Sequence, residues 1–348
     1  MAQQEKSAEA TGTNKERPTF GRAHTRRWQR FLLWAARTWA GRLQRIGRAR
    51  AIREAERLGA FAFQVSHLFA RRPINYALRN LRLTQFPTPN ATQAEREAFI
   101  RRVFINFCKG IVDFLRGPVI TPQDLETLVR ADGFEHAEAA RQAGKGIIFV
   151  TAHLGSWEML GRWLAAHGLP LTVVAREPEN PDFADYVREL RENAGFNVVY
   201  RGASVRSLLQ VLRSNRSVGL LPDQNSGDVF LPFFGVPAGT PVGPATLALH
   251  TGAALIPTYC VREPDDTYRL LILPPIDTHP TGDRDADVNR ITADVNRVLE
   301  SVVRQYPDQW LWLHNRWKSA FEDRNLPRAW PEGRDPAVWE RWKGITAS

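Results

Sequence analysis

The chain has 348 residues, 43% of them hydrophobic, with 11 Trp and 18 Phe; this is enough to bury a large core and unlike the composition of a disordered protein. Its two cysteines, Cys108 and Cys260, sit in apolar stretches without metal-ligand spacing, which argues against a disulfide framework or a metal site and for reduced core thiols in a cytosolic compartment. A formal net charge of +10 asks for an anionic partner.

Residues 1–19 are rich in Gln, Glu, Lys, Thr and Asn and read as an unstructured tail. From about residue 20 to 57 arginines such as Arg26, Arg30, Arg37, Arg42, Arg45 and Arg53 interleave with Trp28, Phe31, Leu32, Trp34 and Trp39. That is a basic amphipathic segment suited to an anionic membrane surface. Nucleic acid would accept such a patch too, and so would an ordinary solvated helix docked on the body of the protein. No signal peptide is expected, because the apolar stretch after Arg30 is cut short at Arg37. Nor is a spanning helix: the longest weakly apolar window, Leu58 to Ala70, contains Gln64, Ser66 and His67 and falls short of the roughly 20 residues required.

Residues 20 to 130 read as mainly helical, broken by Phe86-Pro87-Thr88-Pro89-Asn90, with one helix from about Thr92 to Arg116. From Gly146 short apolar runs alternate with amphipathic helices. Strands are expected at Gly146–Thr151, Leu171–Ala175, Asn197–Tyr200 and Ser217–Leu221, with helices at Ser156–His167, Pro181–Ala194 and Val205–Asn215 between them. The helix after Asn180 is punctuated by a capping Asn, by Pro181 at its first position and by Gly195 past its end. Its residues Phe183, Tyr186, Val187 and Leu190 are spaced as one helical face. The stretch after Leu221 loosens into Pro- and Gly-rich sequence. A short helix near Ala245–Thr251, strands at Ala254–Arg262 and Tyr268–Leu273, and a helix from about Asp287 to Gln305 follow. This alternation predicts an α/β fold with a largely parallel central sheet flanked by helices, preceded by an N-terminal helical region and followed by a helical, Trp-rich C-terminal extension. Chemistry in such sheets gathers at the carboxyl ends of the strands.

One stretch at such an end stands out. In "TAHLGSWEML", residues 151–160, His153 precedes Glu158 by five positions. On one continuous helix these two side chains would diverge, so they meet only if the helix begins between them. Gly155 permits the sharp turn and Ser156 is a competent N-cap, which leaves Glu158 in the first turn. A carboxylate beside an imidazole fixes its tautomer and stabilises the imidazolium, making His153 a general base. A loop-capping histidine and an ordinary first-turn acid remain the alternative. The sequence holds no H-E-x-x-H zinc motif, serine-hydrolase elbow, P-loop or dinucleotide fingerprint, and no cofactor or metal is expected.

An ordered series of motifs goes further: "NLRLTQFP" at 80–87, "GKGIIFVTAHLGSWE" at 144–158, "AREPENP" at 175–181, "LPDQNSGDVFLPFFGVPAGTPVGPATLAL" at 221–249 and "PDQWLWLHNRWK" at 307–318. With these the chain resembles the late acyltransferases of bacterial lipid A biosynthesis, the lauroyl and myristoyl transferases, within the wider H-x4-D/E glycerolipid acyltransferase group. The resemblance covers roughly residues 55–320. It implies an acyltransferase domain over 58–324, a C-terminal extension over 325–348, a general base at His153 with Glu158 as its partner, and substrate-binding roles for Arg176, Arg191, Asp223 and Gln224. It also implies an acyl carrier protein thioester as donor, a phosphorylated lipid A precursor as acceptor, and a site at the cytoplasmic face of the bacterial inner membrane, with no nucleic acid as partner. A phosphatidylinositol mannoside or another glycolipid is the alternative acceptor, and a basic peripheral membrane-binding protein with an inactive core the alternative class. The "FLPFFG" stretch, Phe230 to Gly235, lines an acyl pocket or touches lipid on one reading and is a buried loop on the other; Trp310, Trp312 and Trp317 are expected in the core.

Overall fold

The computed structural model describes residues 20–175, 180–200 and 205–322. Four helices come first, α1 (Phe20–Arg45), α2 (Arg48–Phe69), α3 (Arg72–Thr84) and α4 (Gln93–Arg116). The start of α4 is fixed by a capping box, in which the Thr92 side chain accepts from the Glu95 amide and the Glu95 carboxylate accepts from the Thr92 amide. α2 crosses α4 at very short range, because a Cβ on Gly59 would lie 2.5 Å from the Cα of Ile105. The basic segment is therefore no free arm. Ala40 and Leu43 of α1 pack with Ala51, Val112, Leu115, Tyr186 and Leu190, and the boundary expected at residues 57 and 58 falls inside the continuous helix α2.

α5 (Pro122–Leu128) ends the stretch read as mainly helical, and a short region that the sequence left blank follows: β1 (Val129–Asp132) and α6 (Phe134–Ala143). Then comes the expected alternation of β2 (Ile147–Val150), α7 (Trp157–Ala166), β3 (Leu171–Ala175), α8 (Pro181–Glu192), β4 (Asn197–Tyr200), α9 (Val205–Arg213) and β5 (Ser217–Leu220). The Pro- and Gly-rich stretch is not a loop but an antiparallel hairpin, β6 (Val229–Phe233) and β7 (Val236–Thr240), with Phe234 and Gly235 at positive φ in its turn. The described residues end with α10 (Gly243–Thr251), β8 (Ala254–Arg262), β9 (Tyr268–Ile272), α11 (Arg284–Gln305) and α12 (Lys318–Glu322).

Seven strands form one sheet in the order β1-β9-β8-β2-β5-β3-β4, and every neighbouring pair is parallel except β8 with β9. The central strands are buried on both faces, as their unbroken apolar runs require: all four residues of β2 are buried. α7 covers one face with Met159, Leu160, Trp163 and Leu164, each such side chain contributing about 1.5–3 kcal/mol on burial. α8 buries Ala184, Tyr186 and Leu190, while Phe183, expected on that face, is exposed. Phe233, Phe234, Trp310, Trp312 and Trp317 pack into one aromatic core. Phe233 and Phe234 thus line neither a lipid surface nor a groove.

Candidate active site

The edge formed by the carboxyl ends of β2, β5 and β8 carries the site. β2 and β5 are parallel neighbours with Val150 opposite Leu220. Three residues past each of these ends stand His153 and Asp223, so strand register alone brings them side by side. The chain turns sharply after His153 at Gly155, whose φ is +61°, and a Cβ there would meet the Cys260 carbonyl oxygen at 2.0 Å. Only glycine fits. α7 then starts at Trp157, as the reading of the motif requires. Ser156 occupies the N-cap position but its hydroxyl makes no capping bond and has no partner.

The structure departs from the expected pairing. His153 Nδ1 lies 2.8 Å from Asp223 Oδ1, and the His153 amide donates to Asp223 Oδ2 at 2.9 Å. Asp223 is wholly buried, whereas the His153 side chain keeps 24% of its surface exposed. A carboxylate only accepts, so Nδ1 carries the proton and Nε2 keeps its lone pair. Burial disfavours the imidazolium, but the charge and hydrogen bond of Asp223, with the charge of Glu158 added, raise the His153 pKa above its ordinary value. Burial likewise opposes the Asp223 carboxylate, and the opposing pull of His153 holds it well below the usual range.

Glu158 makes no hydrogen bond to His153 and acts on it as a nearby charge. Its carboxylate pairs instead with Arg191 of α8, at 2.7 Å from Nη2 and 3.2 Å from Nε, and accepts from the Trp157 indole at 3.2 Å. The first turn of α7 thus presents this side chain to α8. Arg191, half-buried, also lies over the Phe114 ring. Gln224 is exposed directly after Asp223. Arg176 lies outside the described residues.

Sequence reasoning gave no site role to three side chains that stand here. Arg162, one turn after Glu158, places a second positive charge near that carboxylate, a placement that i,i+4 spacing on α7 foretells. The Trp310 indole donates to Asp223 Oδ2 at 3.0 Å. His314 Nε2 is 3.3 Å from the Asp223 backbone oxygen and its Nδ1 2.6 Å from the Leu311 carbonyl, with burial pushing its pKa down. Trp310 and His314 sit in the last motif, where nothing local marks their reach across the fold. The cysteines are poor nucleophiles: burial pushes the Cys108 thiol up to about 11 and Cys260 higher still.

A model of the family described as bacterial lipid A biosynthesis acyltransferase matches residues 21–319. The chain is 35% identical to a phosphatidylinositol mannoside acyltransferase of Mycobacterium tuberculosis over 53% of this chain and 58% of that one, so it spans about three fifths of that relative's length. It is 28% identical to the lipid A biosynthesis palmitoleoyltransferase of Escherichia coli over 76% of this chain and 83% of the relative. A crystal structure of a 1-acyl-sn-glycerophosphate acyltransferase from Thermotoga maritima overlaps 69% of this chain and 98% of that one at 15% identity and a TM-score of 0.35.

Proposed function

The chain belongs to the bacterial lipid A biosynthesis acyltransferase family, and from that premise we propose that it transfers a fatty acyl chain from an acyl carrier protein thioester to a hydroxyl of a lipid A precursor. His153 Nε2 takes the proton of the acceptor hydroxyl as its oxygen attacks the thioester carbonyl. The tetrahedral intermediate collapses, the new ester forms, and the departing thiolate recovers the proton from the imidazolium. Asp223 holds the tautomer this requires and balances the charge that develops on the ring.

The observation that carries this reading is the His153–Asp223 contact at the strand-end edge, which engages Nδ1 in a ring whose side chain stays partly exposed. Direct transfer without an acyl-enzyme is favoured because Ser156, three residues on, makes no hydrogen bond to the imidazole and both cysteines are buried with raised pKa values. Arg191 and Arg162, together with Arg176, are assigned to substrate binding, where their guanidinium groups suit a phosphorylated acceptor or the phosphate of a carrier arm, with Glu158 holding Arg191 in place.

Attachment at the cytoplasmic face of the bacterial inner membrane is part of the same proposal. No helix among the described residues is long and apolar enough to cross a membrane. Exposed Phe31, Leu32 and Trp34 on α1 and Phe61, Leu68 and Phe69 on α2, near exposed Arg53, Arg57, Arg71 and Arg72, suit a peripheral hold on an anionic bilayer.

The test is transfer by purified protein from a panel of acyl carrier protein thioesters to a tetra-acylated lipid A precursor. His153→Ala loses about 10²- to 10⁴-fold of the rate; a His153→Ala protein at the wild-type rate overturns the reading. The higher identity to the mycobacterial enzyme favours a second acceptor, a mannoside hydroxyl, with the same machinery. Mass spectrometry of lipids from a deletion strain separates the two: an unchanged lipid A acylation pattern rules out the first.

A further inference from the structure

Three tryptophans of the last motif, Trp310, Trp312 and Trp317, are fully buried in one aromatic core, yet their indole N–H groups are not equivalent. That of Trp312 goes to the Pro307 carbonyl at 2.7 Å, and that of Trp317 has no partner. Trp310 alone reaches the site, donating to Asp223 Oδ2 at 3.0 Å.

The two oxygens of Asp223 are therefore divided. Oδ2 accepts from the Trp310 indole and from the His153 amide, and Oδ1 faces His153 Nδ1. Rotation of a carboxylate about its last side-chain torsion is soft, with no deep staggered well to hold its plane. Two donors converging on Oδ2 supply the missing restraint and present Oδ1 to the ring.

The backbone around Trp310 serves the same loop. The Leu311 amide donates to the His153 carbonyl at 2.9 Å, the Gly155 amide donates to the Gln309 carbonyl at 3.0 Å, and Leu154 and Trp310 form a β-bridge. The segment that carries the indole thus also braces the turn that carries the imidazole. Packing against Phe233, Trp312 and His314 at ring distances of 5.5, 4.8 and 5.4 Å fixes the indole itself.

We propose that Trp310 is a positioning residue for His153, its indole N–H locking the Asp223 carboxylate in the plane that presents one oxygen to the imidazole. The proposal rests on the assignment of His153 as the base. It predicts that what matters at position 310 is the N–H donor and not merely the aromatic bulk.

The experiment compares Trp310→Phe, Trp317→Phe and a protein carrying benzothienylalanine at position 310, in which sulfur replaces the indole N–H at nearly constant shape. Loss of a hydrogen bond to a charged group is expected to lower kcat about ten- to a hundredfold in both position-310 variants. KM for thioester and acceptor stays within about twofold, since no substrate contact is removed. The ascending limb of the pH–rate profile moves to lower pH, because a misaligned carboxylate supports the imidazolium less. Trp317→Phe, which loses ring packing but no hydrogen bond, keeps the wild-type limb. Should Trp310→Phe fail to fold, the isostere decides. Position-310 variants with wild-type kcat, or with a limb that stays in place or moves up, overturn the proposal, as does a Trp317→Phe protein with the same kinetic change. If His153→Ala retains the wild-type rate in the same assay, the underlying assignment falls, an outcome distinguishable from a silent Trp310 variant beside an inactive His153→Ala.

Discussion

His153 and Asp223 follow Val150 and Leu220, register partners in adjacent parallel strands, by the same number of residues, and their side chains meet at 2.8 Å. The contact is therefore a property of the sheet: it needs the parallel pairing of β2 with β5 more than any local motif. Asp223→Asn tests its chemistry. An amide cannot hold the negative charge, and it presents a donor or an acceptor to Nδ1 with no bias toward the required tautomer. We expect kcat to fall on the order of 10²- to 10⁴-fold with near-normal folding, measured as initial rates beside circular dichroism; activity within a few-fold of wild type would remove Asp223 from the mechanism.

The pH dependence follows from the same pair. In the proposed mechanism the working base is neutral His153, whose pKa lies above the ordinary value of about 6.5. The rate at low substrate should therefore climb with pH through a limb centred above 6.5, and Asp223→Asn should move that limb down, since burial then acts on the imidazolium with less opposition. Stability has its own signs. The raised histidine stabilises the fold fully below its unfolded pKa and ceases to do so as pH rises through its folded value. The depressed Asp223 stabilises it above about pH 4 and loses that contribution as pH falls toward its folded value. Denaturant midpoints followed from pH 8 to pH 2 should thus show an acid-side loss that is smaller in Asp223→Asn.

Much of this architecture is legible in the amino-acid order because burial is extreme where it matters. β2, all apolar, reads as a central strand, and Thr92, Asn180 and Pro181 mark helix starts that the structure keeps. β1 escaped because Arg130 and Asp132 give a short strand no apolar run, and the β6–β7 hairpin escaped because Pro232, Pro237 and Gly239 read as loop, whereas the burial of Phe233 and of all of β7 comes from the elements and the aromatic core packed against them. The contact of His153 with Asp223 escaped for a deeper reason. Local spacing offers Glu158, five residues away, whereas register delivers Asp223 from across the chain, and no pattern within one element encodes register between two.

Glu158 and Arg191 offer a separable test. Their side chains are 13% and 21% exposed and meet at 2.7 Å, so removing one partner leaves the other charge partly buried and unpaired. Glu158→Gln and Arg191→Gln should each destabilise the protein, and the double variant should recover part of the loss, with a coupling energy between about 0.5 and 3 kcal/mol. If the pair serves acceptor binding, both single variants raise KM for the acceptor more than they lower kcat. Additive stabilities and unchanged KM values would assign the pair to neither role.

The exposed end of α2 is the last feature with a measurable consequence. Phe61, Leu68 and Phe69 are 66%, 69% and 82% exposed, so they contribute little to the fold but a great deal to any apolar phase they enter. Each gains about 1.5–3 kcal/mol on full burial, and the exposed Arg53, Arg57, Arg71 and Arg72 around them add attraction to an anionic surface that salt weakens. Replacing the three apolar side chains by Ser should leave the melting temperature unchanged, because no packing is lost. Binding to phosphatidylglycerol vesicles, read by co-sedimentation, should weaken at least tenfold, roughly the effect of losing 1.4 kcal/mol. Arg71→Gln with Arg72→Gln should instead flatten the salt dependence while leaving high-salt binding in place. The triple Ser variant should still acylate detergent-dispersed acceptor at the wild-type rate; unchanged vesicle binding would mean that α2 faces water in the cell.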